Sequence, residues 1–516
     1  MAGRKIRWGL SRRVGAIAAL TTASLVATAP PASAGLLGSL LGTVTGTVTG
    51  VVDSTLGILT PGWDDNATTP PVHLSTVADA VGTNDLWPRG FTGKTIGVAV
   101  VDSGVAPVGV LGEPGKVVNG PDLSFEGQTA AYAHADTFGH GTHMAGIVAG
   151  VAPGAHVVNM KVATREGAAD VSQVIAAIDW VVAHRNDPGM NIRVLSLSYG
   201  TDSVQPYQVD PLAHAVESAW RNGIVVVVSG GNDGTTRGTL TNPATDPHVI
   251  AVGAADIKNT PSASDDVVAP FSSRGSASRT VDVVAPGVSI ASLRTPGSTI
   301  DDAHPTARVD DRYFRGSGSS QAAAVTAGGV AVLLQARPSL TPDKVKALVR
   351  ATATPLANTD ARSQGRGRLN VAAAAQASVP YASTQLWTRS SGTGSLEASR
   401  GTSHVAADDI ELRGEQDIMG SPWVPATWAP LATAGAAWTG GTWNGVEWTG
   451  SCWCGTSWAS STWSGKSWTG KSWTGKSWTG DEWAGKSWTG KSWTGDGWTG
   501  KSWTGKSWTG KSWTSG

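Results

Sequence analysis

The sequence predicts an α/β protein: a mostly parallel sheet with helices on both faces, followed by a low-complexity tryptophan-repeat region. Three observations carry this. Apolar, largely β-branched runs without polar alternation stand at residues 95–101, 157–162, 194–197, 224–228 and 249–252, as strands buried on both faces require. Segments of helical period lie between them: Val171, Val174, Ile175, Ile178, Val181 and Val182 mark one apolar face, and Leu212, Val216, Ala219 and Trp220 another. Strand and helix in alternation give parallel pairing with crossover helices. The third observation is a tryptophan at every fifth position from 438 to 513, which belongs to neither pattern.

The 516 residues suffice for a large core and more than one unit. Lys plus Arg (39) balances Asp plus Glu (39), which argues against a nucleic-acid footprint or a strongly basic membrane surface. Cys452 and Cys454 are the only cysteines, so packing, and no disulfide framework, must hold the body together.

Taken in order, residues 1–34 read as a signal peptide. A basic start (Arg4, Lys5, Arg7) leads to a small apolar run over 14–26 and then to Ala32-Ser33-Ala34, the pattern of an exported chain. Ser11-Arg12-Arg13 also hints at a twin-arginine route. No later run is long and apolar enough to span a bilayer, so the expected location is extracellular or at the cell wall. Residues 35–80 form a Gly-interrupted, low-complexity leader with no assigned function, and residues 81–378 are the predicted main domain. Residues 379–422 read as a linker, and residues 423–516 as the Trp-rich pentapeptide region.

The main domain is organised around Gly316-Ser317-Gly318-Ser319-Ser320, which precedes the alanine-rich run 322–324. Small residues before a serine and a helix-competent run after it present a hydroxyl at a helix start, where unpaired N–H groups favour negative charge. Taken alone, the same stretch reads equally well as a flexible linker. Its company decides. Asp102 ends the first buried run, at the carboxyl edge where parallel sheets carry functional groups. His140 opens Gly139-His140-Gly141-Thr142-His143 after the loop Asp136-Thr137-Phe138. Two histidines three apart raise the question of zinc, but the metalloprotease pattern needs a Glu beside the first and a spacing of four.

Asp102, His140 and Ser320 therefore stand at Gly-rich junctions of strand or loop with helix, and together suit nucleophilic attack on a carbonyl carbon. Asn232, in Ser229-Gly230-Gly231-Asn232, reads either as a turn residue or as an amide that donates to a developing oxyanion.

These blocks resemble the subtilisin-type serine peptidases, the subtilase family. Val100-Val101-Asp102-Ser103-Gly104, His140-Gly141-Thr142-His143-Met144-Ala145-Gly146, Ser229-Gly230-Gly231-Asn232 and Gly318-Ser319-Ser320-Gln321-Ala322 match its catalytic and oxyanion blocks in order, over about residues 81–378. The resemblance implies a subtilisin-like fold, peptide-bond hydrolysis, and no cofactor or catalytic metal. It implies that Asp102 orients His140, that His140 is base and then acid, that Ser320 forms the acyl-enzyme, and that Asn232 with the Ser320 N–H makes the oxyanion hole.

Ser198, Tyr199 and Gly200 are implied to pair with an extended peptide or protein substrate. With Ser229, Gly230 and Gly231 they would wall the pocket for the residue before the cut, which the glycines are expected to leave open to large apolar side chains. Departures from the family pattern are Gln321, Ala324 and Val325 after the serine, an uninterrupted run over 147–154 where many members insert a calcium loop, and a leader short for a folded propeptide. A chain starting near Leu74 is expected to fold to active enzyme.

The tail's commonest unit is Lys-Ser-Trp-Thr-Gly. A period of five fits neither strand nor helix, so each Gly must supply a turn, in a solenoid of short coils or a disordered chain. Residues 461–516 hold eight Lys against Asp481, Glu482 and Asp496, a net of 8 minus 3. Aromatic faces and cations together suit cell-wall polysaccharide, while a self-packed tryptophan solenoid without ligand is an equal reading. Cys452 and Cys454 allow a strained disulfide, a metal site or free thiols. Function thus has two readings: a secreted endopeptidase, or an adhesive wall-binding protein with a silent peptidase fold. Transpeptidation by the same acyl-enzyme stays open.

Overall fold

A computed structural model describes Trp63 and residues 70–447, apart from 129, 358 and 408–409. The signal-peptide reading, most of the leader, the units after 447 and both cysteines lie outside the described residues.

The main sheet grows from the buried apolar runs. Its strands are β2 (Gly97–Asp102), β3 (Val117–Asn119), β4 (His156–Lys161), β5 (Ile192–Leu197), β6 (Val225–Ser229), β7 (Ile250–Asp256), β8 (Val267–Val268) and β9 (Val283–Pro286). The spatial order is β3-β4-β2-β5-β6-β7-β8, with β9 also pairing β7, and every pairing is parallel except β7 with β8. Order reverses beside β2, so the carboxyl ends of β2 and β5 open onto a crevice, the usual place for a site in such sheets. Every residue of β2 and β6 is buried, which is why these runs carry no polar alternation. A smaller sheet joins β1 (Val72–His73), β10 (Ile290–Leu293) and β11 (Tyr313–Gly316) in the order β1-β10-β11.

Helices α1 (Leu74–Val81), α2 (His140–Val151), α3 (Val171–His184), α4 (Pro211–Arg221), α5 (Ser319–Ala336) and α6 (Pro342–Thr352) cover the sheet. Capping sets several starts. Asp170 accepts from the Ser172 N–H while Gln173 reaches back, a capping box at α3, and Asp210 accepts from Leu212 and Ala213 at α4. Helix α5 is buried along residues 319–334, consistent with a Gly- and Ala-rich sequence that admits close neighbours. No helix among the described residues is long and apolar enough to cross a membrane.

Two boundaries differ from expectation. The end of the leader is part of the body: β1 pairs with β10 in parallel, Val72 opposite Ile290, and α1 buries Val77, Ala78, Ala80 and Val81. A chain starting at Leu74 would lose that pairing. The stretch read as a linker is also packed, with Leu396, Arg400, Leu412, Asp417 and Ile418 fully buried. Turn-rich composition hid it, because its anchors are single residues without period.

The tryptophan region then begins against α3 and α4, through α7 (Pro425–Thr433) and a meander of β12 (Trp438–Thr439), β13 (Thr442–Trp443) and β14 (Val446–Glu447). Gly440 and Gly441, then Asn444 and Gly445, take positive φ, as tight two-residue hairpin turns demand. Over residues 438–447 three two-residue strands alternate with two-residue turns, a repeat of four that is out of step with the tryptophan period of five.

Trp428 and Trp443 both donate their indole N–H to Asp179 Oδ2 at 2.8 Å. Burial pushes the Asp179 carboxyl up to about 7, against the pull of the two donors. A folded pKa raised above the unfolded value means that this group favours the folded state below about pH 4, and that the contribution is lost as pH rises through about 7. Asp179→Asn keeps an acceptor for the indoles and removes the charge. It is expected to raise the melting temperature at pH 8 by about 2–4 °C, the scale of roughly 1 kcal/mol in a large domain, and less at pH 4. Equal shifts at both pH values would contradict this assignment.

Candidate active site

Asp102 is the last residue of β2, and His140 the first of α2. His140 Nδ1 lies 2.8 Å and 2.9 Å from the two Asp102 carboxylate oxygens. Both side chains are buried, and His140 Nε2 has no hydrogen-bond partner among the described residues. A carboxylate on Nδ1 holds that proton in place and leaves Nε2 as the basic nitrogen.

A buried ring of polar contacts fixes the pair. Ser103 donates its N–H to Asp102 at 2.8 Å and its hydroxyl to Asp136 at 2.8 Å, while accepting from the Gly141 N–H at 2.9 Å. Asp136 also accepts from the Gly139 and Thr142 N–H groups, both at 2.7 Å, at the positive end of α2. Burial raises the Asp136 pKa, against these hydrogen bonds. Sequence reading passed Asp136 and Ser103 by; an Asp three residues before a glycine helix start was the available signal. Gly139 has φ 108° and a Cβ there would meet Ser298 Oγ at 2.5 Å, so the entry to α2 needs glycine.

Helices α2 and α5 run side by side in the same direction. Gly328, eight residues beyond Ser320, packs on Val148, eight residues beyond His140, and on Val151. At the other end Trp63 spans both helix starts. Its ring meets those of His140 and His143 edge to face, with centroids 6.2 Å and 5.4 Å away, and a Cβ on Gly316 would lie 2.7 Å from it. The starts of α2 and α5 therefore share Trp63 as a neighbour. Burial holds His143 down to about 3, so it is neutral. Trp63, 7% exposed, is a leader residue that the sequence reading left without a role.

Asn232 reaches the same place from the end of β6. Its Oδ1 accepts the Ser319 N–H at 2.8 Å, and its Nδ2 is buried with no hydrogen-bond partner among the described residues. Anchored by one end, the amide offers its donor beside Ser320.

The remaining predicted residues lie one strand over. Leu197 pairs with Val228, so Ser198 and Ser229 follow at adjacent strand ends. At the three glycines of the expected pocket the direction of a Cβ is occupied. A Cβ on Gly200 would lie 2.7 Å from Thr241 Oγ1, on Gly230 2.9 Å from Val281 Cγ1, and on Gly231 2.5 Å from Ser273 Oγ. Neighbours already fill those directions, so these glycines serve close backbone approach. Tyr199 is 1% exposed, with its hydroxyl 3.5 Å from the Ala169 carbonyl. Its ring faces the interior, and only its backbone is left to meet a substrate.

Among the described residues one cluster has metal-ligand composition: Glu217, Asp246 and His248, all buried. Burial lowers the His248 pKa, but hydrogen bonds to Asp246 and Glu217 outweigh it and raise it to about 9. An imidazolium between two carboxylates accounts for this group without a metal.

Comparison with known proteins shows the family. Residues 93–404, more than half of the chain, match the model of the subtilase family, Peptidase_S8. The chain is 38% identical over 326 residues to serine protease AprX of Bacillus subtilis, covering 60% of this chain and 72% of that protein. It is 34% identical over 302 residues to subtilisin E of Bacillus subtilis, covering 56% and 68%. Fervidolysin from Fervidobacterium pennivorans, a solved structure, is 29% identical with a TM-score of 0.47, over 59% of this chain and 46% of that one. On the strength of the family match and the identities to AprX and subtilisin E, the chain belongs to the subtilase family and is a subtilisin-like serine peptidase.

Proposed function

We propose that this chain is a secreted endopeptidase working through Asp102, His140 and Ser320, with Asn232 in the oxyanion hole. The supporting observation is the buried Asp102–His140 pair, whose Nε2 has no hydrogen-bond partner among the described residues, together with Asn232, which holds the Ser319 N–H and whose Nδ2 likewise has no partner among the described residues. In this reading His140 Nε2 takes the Ser320 hydroxyl proton as the oxygen attacks the scissile carbonyl carbon. The carbonyl oxygen gains the negative charge and is met by Asn232 Nδ2 and the Ser320 N–H at the start of α5. His140 returns the proton to the leaving amine as the C–N bond breaks. Water then repeats the sequence on the acyl-enzyme and frees Ser320.

Asn232→Ala removes one oxyanion donor and is expected to lower kcat by about 10²–10³ with KM little changed. A KM effect alone would mean that Asn232 binds substrate only in the ground state.

The tail in this reading holds the enzyme to wall or substrate polysaccharide through its tryptophans and lysines. Full-length chain should be retained on wall preparations, and a chain ending after residue 447 released. Equal retention of the two would remove the anchoring role.

A further inference from the structure

A segment at the end of the family-matched span holds the edge that is proposed to receive the substrate. Residues 198–200 lead without a break into 201–205, and this continuation is bound almost residue by residue to residues 395–402. Thr201 donates its hydroxyl to the Ser399 carbonyl at 2.6 Å, and the Val204 N–H donates to the Ala398 carbonyl at 3.2 Å. Asp202 accepts from the Thr402 N–H and hydroxyl, both at 2.7 Å. The Gln205 amide donates to the Ser395 carbonyl at 2.8 Å and accepts from the Ser395 N–H at 3.1 Å.

One residue anchors this segment. Arg400 is fully buried, and its Nε meets Asp170 Oδ2 at 2.7 Å, with Asp170 also fully buried. The other Arg400 nitrogens donate to the Gly414 carbonyl at 2.8 Å and to the Gln416 carbonyl. Asp170 is at the same time the N-cap of α3, and it lies next to Ala169, whose carbonyl meets the Tyr199 hydroxyl. A buried guanidinium with a buried carboxylate is costly to desolvate and gives little net stability. What it supplies is a fixed position: the cap of α3, the interior ring of Tyr199 and the outer clamp 395–402 are tied at one point. A substrate strand laid along 198–200 gains backbone hydrogen bonds only if that edge is straight and still.

We infer that residues 395–402, anchored by Arg400 on Asp170, are a positioning clamp for binding the acyl-side stretch of an extended peptide substrate. This rests on the proposed substrate role of residues 198–200. Arg400 and its neighbours touch no reacting atom, so the clamp acts on substrate affinity through the 198–205 edge, more strongly the longer the peptide.

Two double variants test it in the full-length chain. Arg400→Met with Asp170→Asn removes both charges of the buried pair and keeps a side chain able to cap α3. Thr201→Val with Thr402→Val removes two hydroxyl tethers and leaves the buried pair in place, so it remains informative if the first variant does not fold. Each is assayed with a peptide of four residues before the scissile bond and with an ester carrying a single acyl residue. The expected result is a KM raised about three- to tenfold for the tetrapeptide, the scale of one or two lost hydrogen bonds. Its kcat, and kcat/KM for the ester, should stay within a factor of two. Equal losses on both substrates, or no change on either, would overturn the clamp. Fluorophosphonate labelling of the parent chain separates the two levels: absence of labelling would sink the peptidase mechanism itself, whatever the clamp does.

Discussion

Replacing Ser320 by alanine is expected to abolish fluorophosphonate labelling and to lower kcat by about 10⁶, the scale on which triads of this kind act as a unit. His140→Ala should cost about as much, and the double variant little more, because nucleophile and base take part in one proton transfer. The basis is the buried Asp102–His140 contact at 2.8 Å and the packing of α5, which begins at Ser319, against α2. Labelling that survives in Ser320→Ala would place the nucleophile elsewhere. Absence of labelling in the parent chain would favour the reading of a silent fold with an adhesive tail.

Asp282→Ala is expected to destabilise the fold by about 3–5 kcal/mol, the usual result of removing one partner from a buried ionic group. Asp282, fully buried, stands just before β9. It meets Arg279 Nη1 at 3.1 Å, Lys346 Nζ at 3.3 Å and Arg350, and accepts the Ala251 N–H of β7 at 3.0 Å. Lys346 also donates to the Val249 carbonyl at 2.7 Å and to that of Pro247. One carboxylate thus ties the end of the β-sheet to α6 through Lys346 and Arg350, with Arg279 as a local third partner.

Burial alone would raise the Asp282 pKa, but Lys346, Arg279 and Arg350 outweigh it and hold the carboxyl well below its usual range. A depressed folded pKa contributes stability above the unfolded value, and that contribution is lost as pH falls below about 4. Chemical denaturation of parent and variant between pH 3 and pH 7 checks both statements. The gap should be widest near neutrality and shrink toward pH 3; a constant gap would mean that the loss comes from packing alone.

Much of the architecture was legible because parallel sheets write themselves as long apolar runs. The runs at 95–101, 157–162, 194–197, 224–228 and 249–252 overlap strands β2, β4, β5, β6 and β7, and the apolar faces around Val174 and Val216 fall on α3 and α4. Blocks near Asp102, His140, Asn232 and Ser320 were legible for a different reason: each needs small residues in a short window to bring a side chain to a helix start or strand end. At the glycines of the predicted pocket a missing side chain admits a close neighbour, and that these are Thr241, Val281 and Ser273 is not written in the local sequence. Nor did 379–422 show itself as packed. Arg400 and Asp170 are 230 residues apart, and neither lies in a periodic segment.

By itself the sequence determined the class of fold, the order of the strand and helix segments and the four blocks proposed to carry the chemistry, since all of these depend on local period and local backbone freedom. Only the tertiary structure decided that a leader tryptophan stands against His140, that residues 395–402 grip the edge after Gly200, and that two tail indoles share Asp179. Those contacts join residues distant along the chain through single hydrogen bonds or ring edges, and such pairings leave no pattern in composition or spacing.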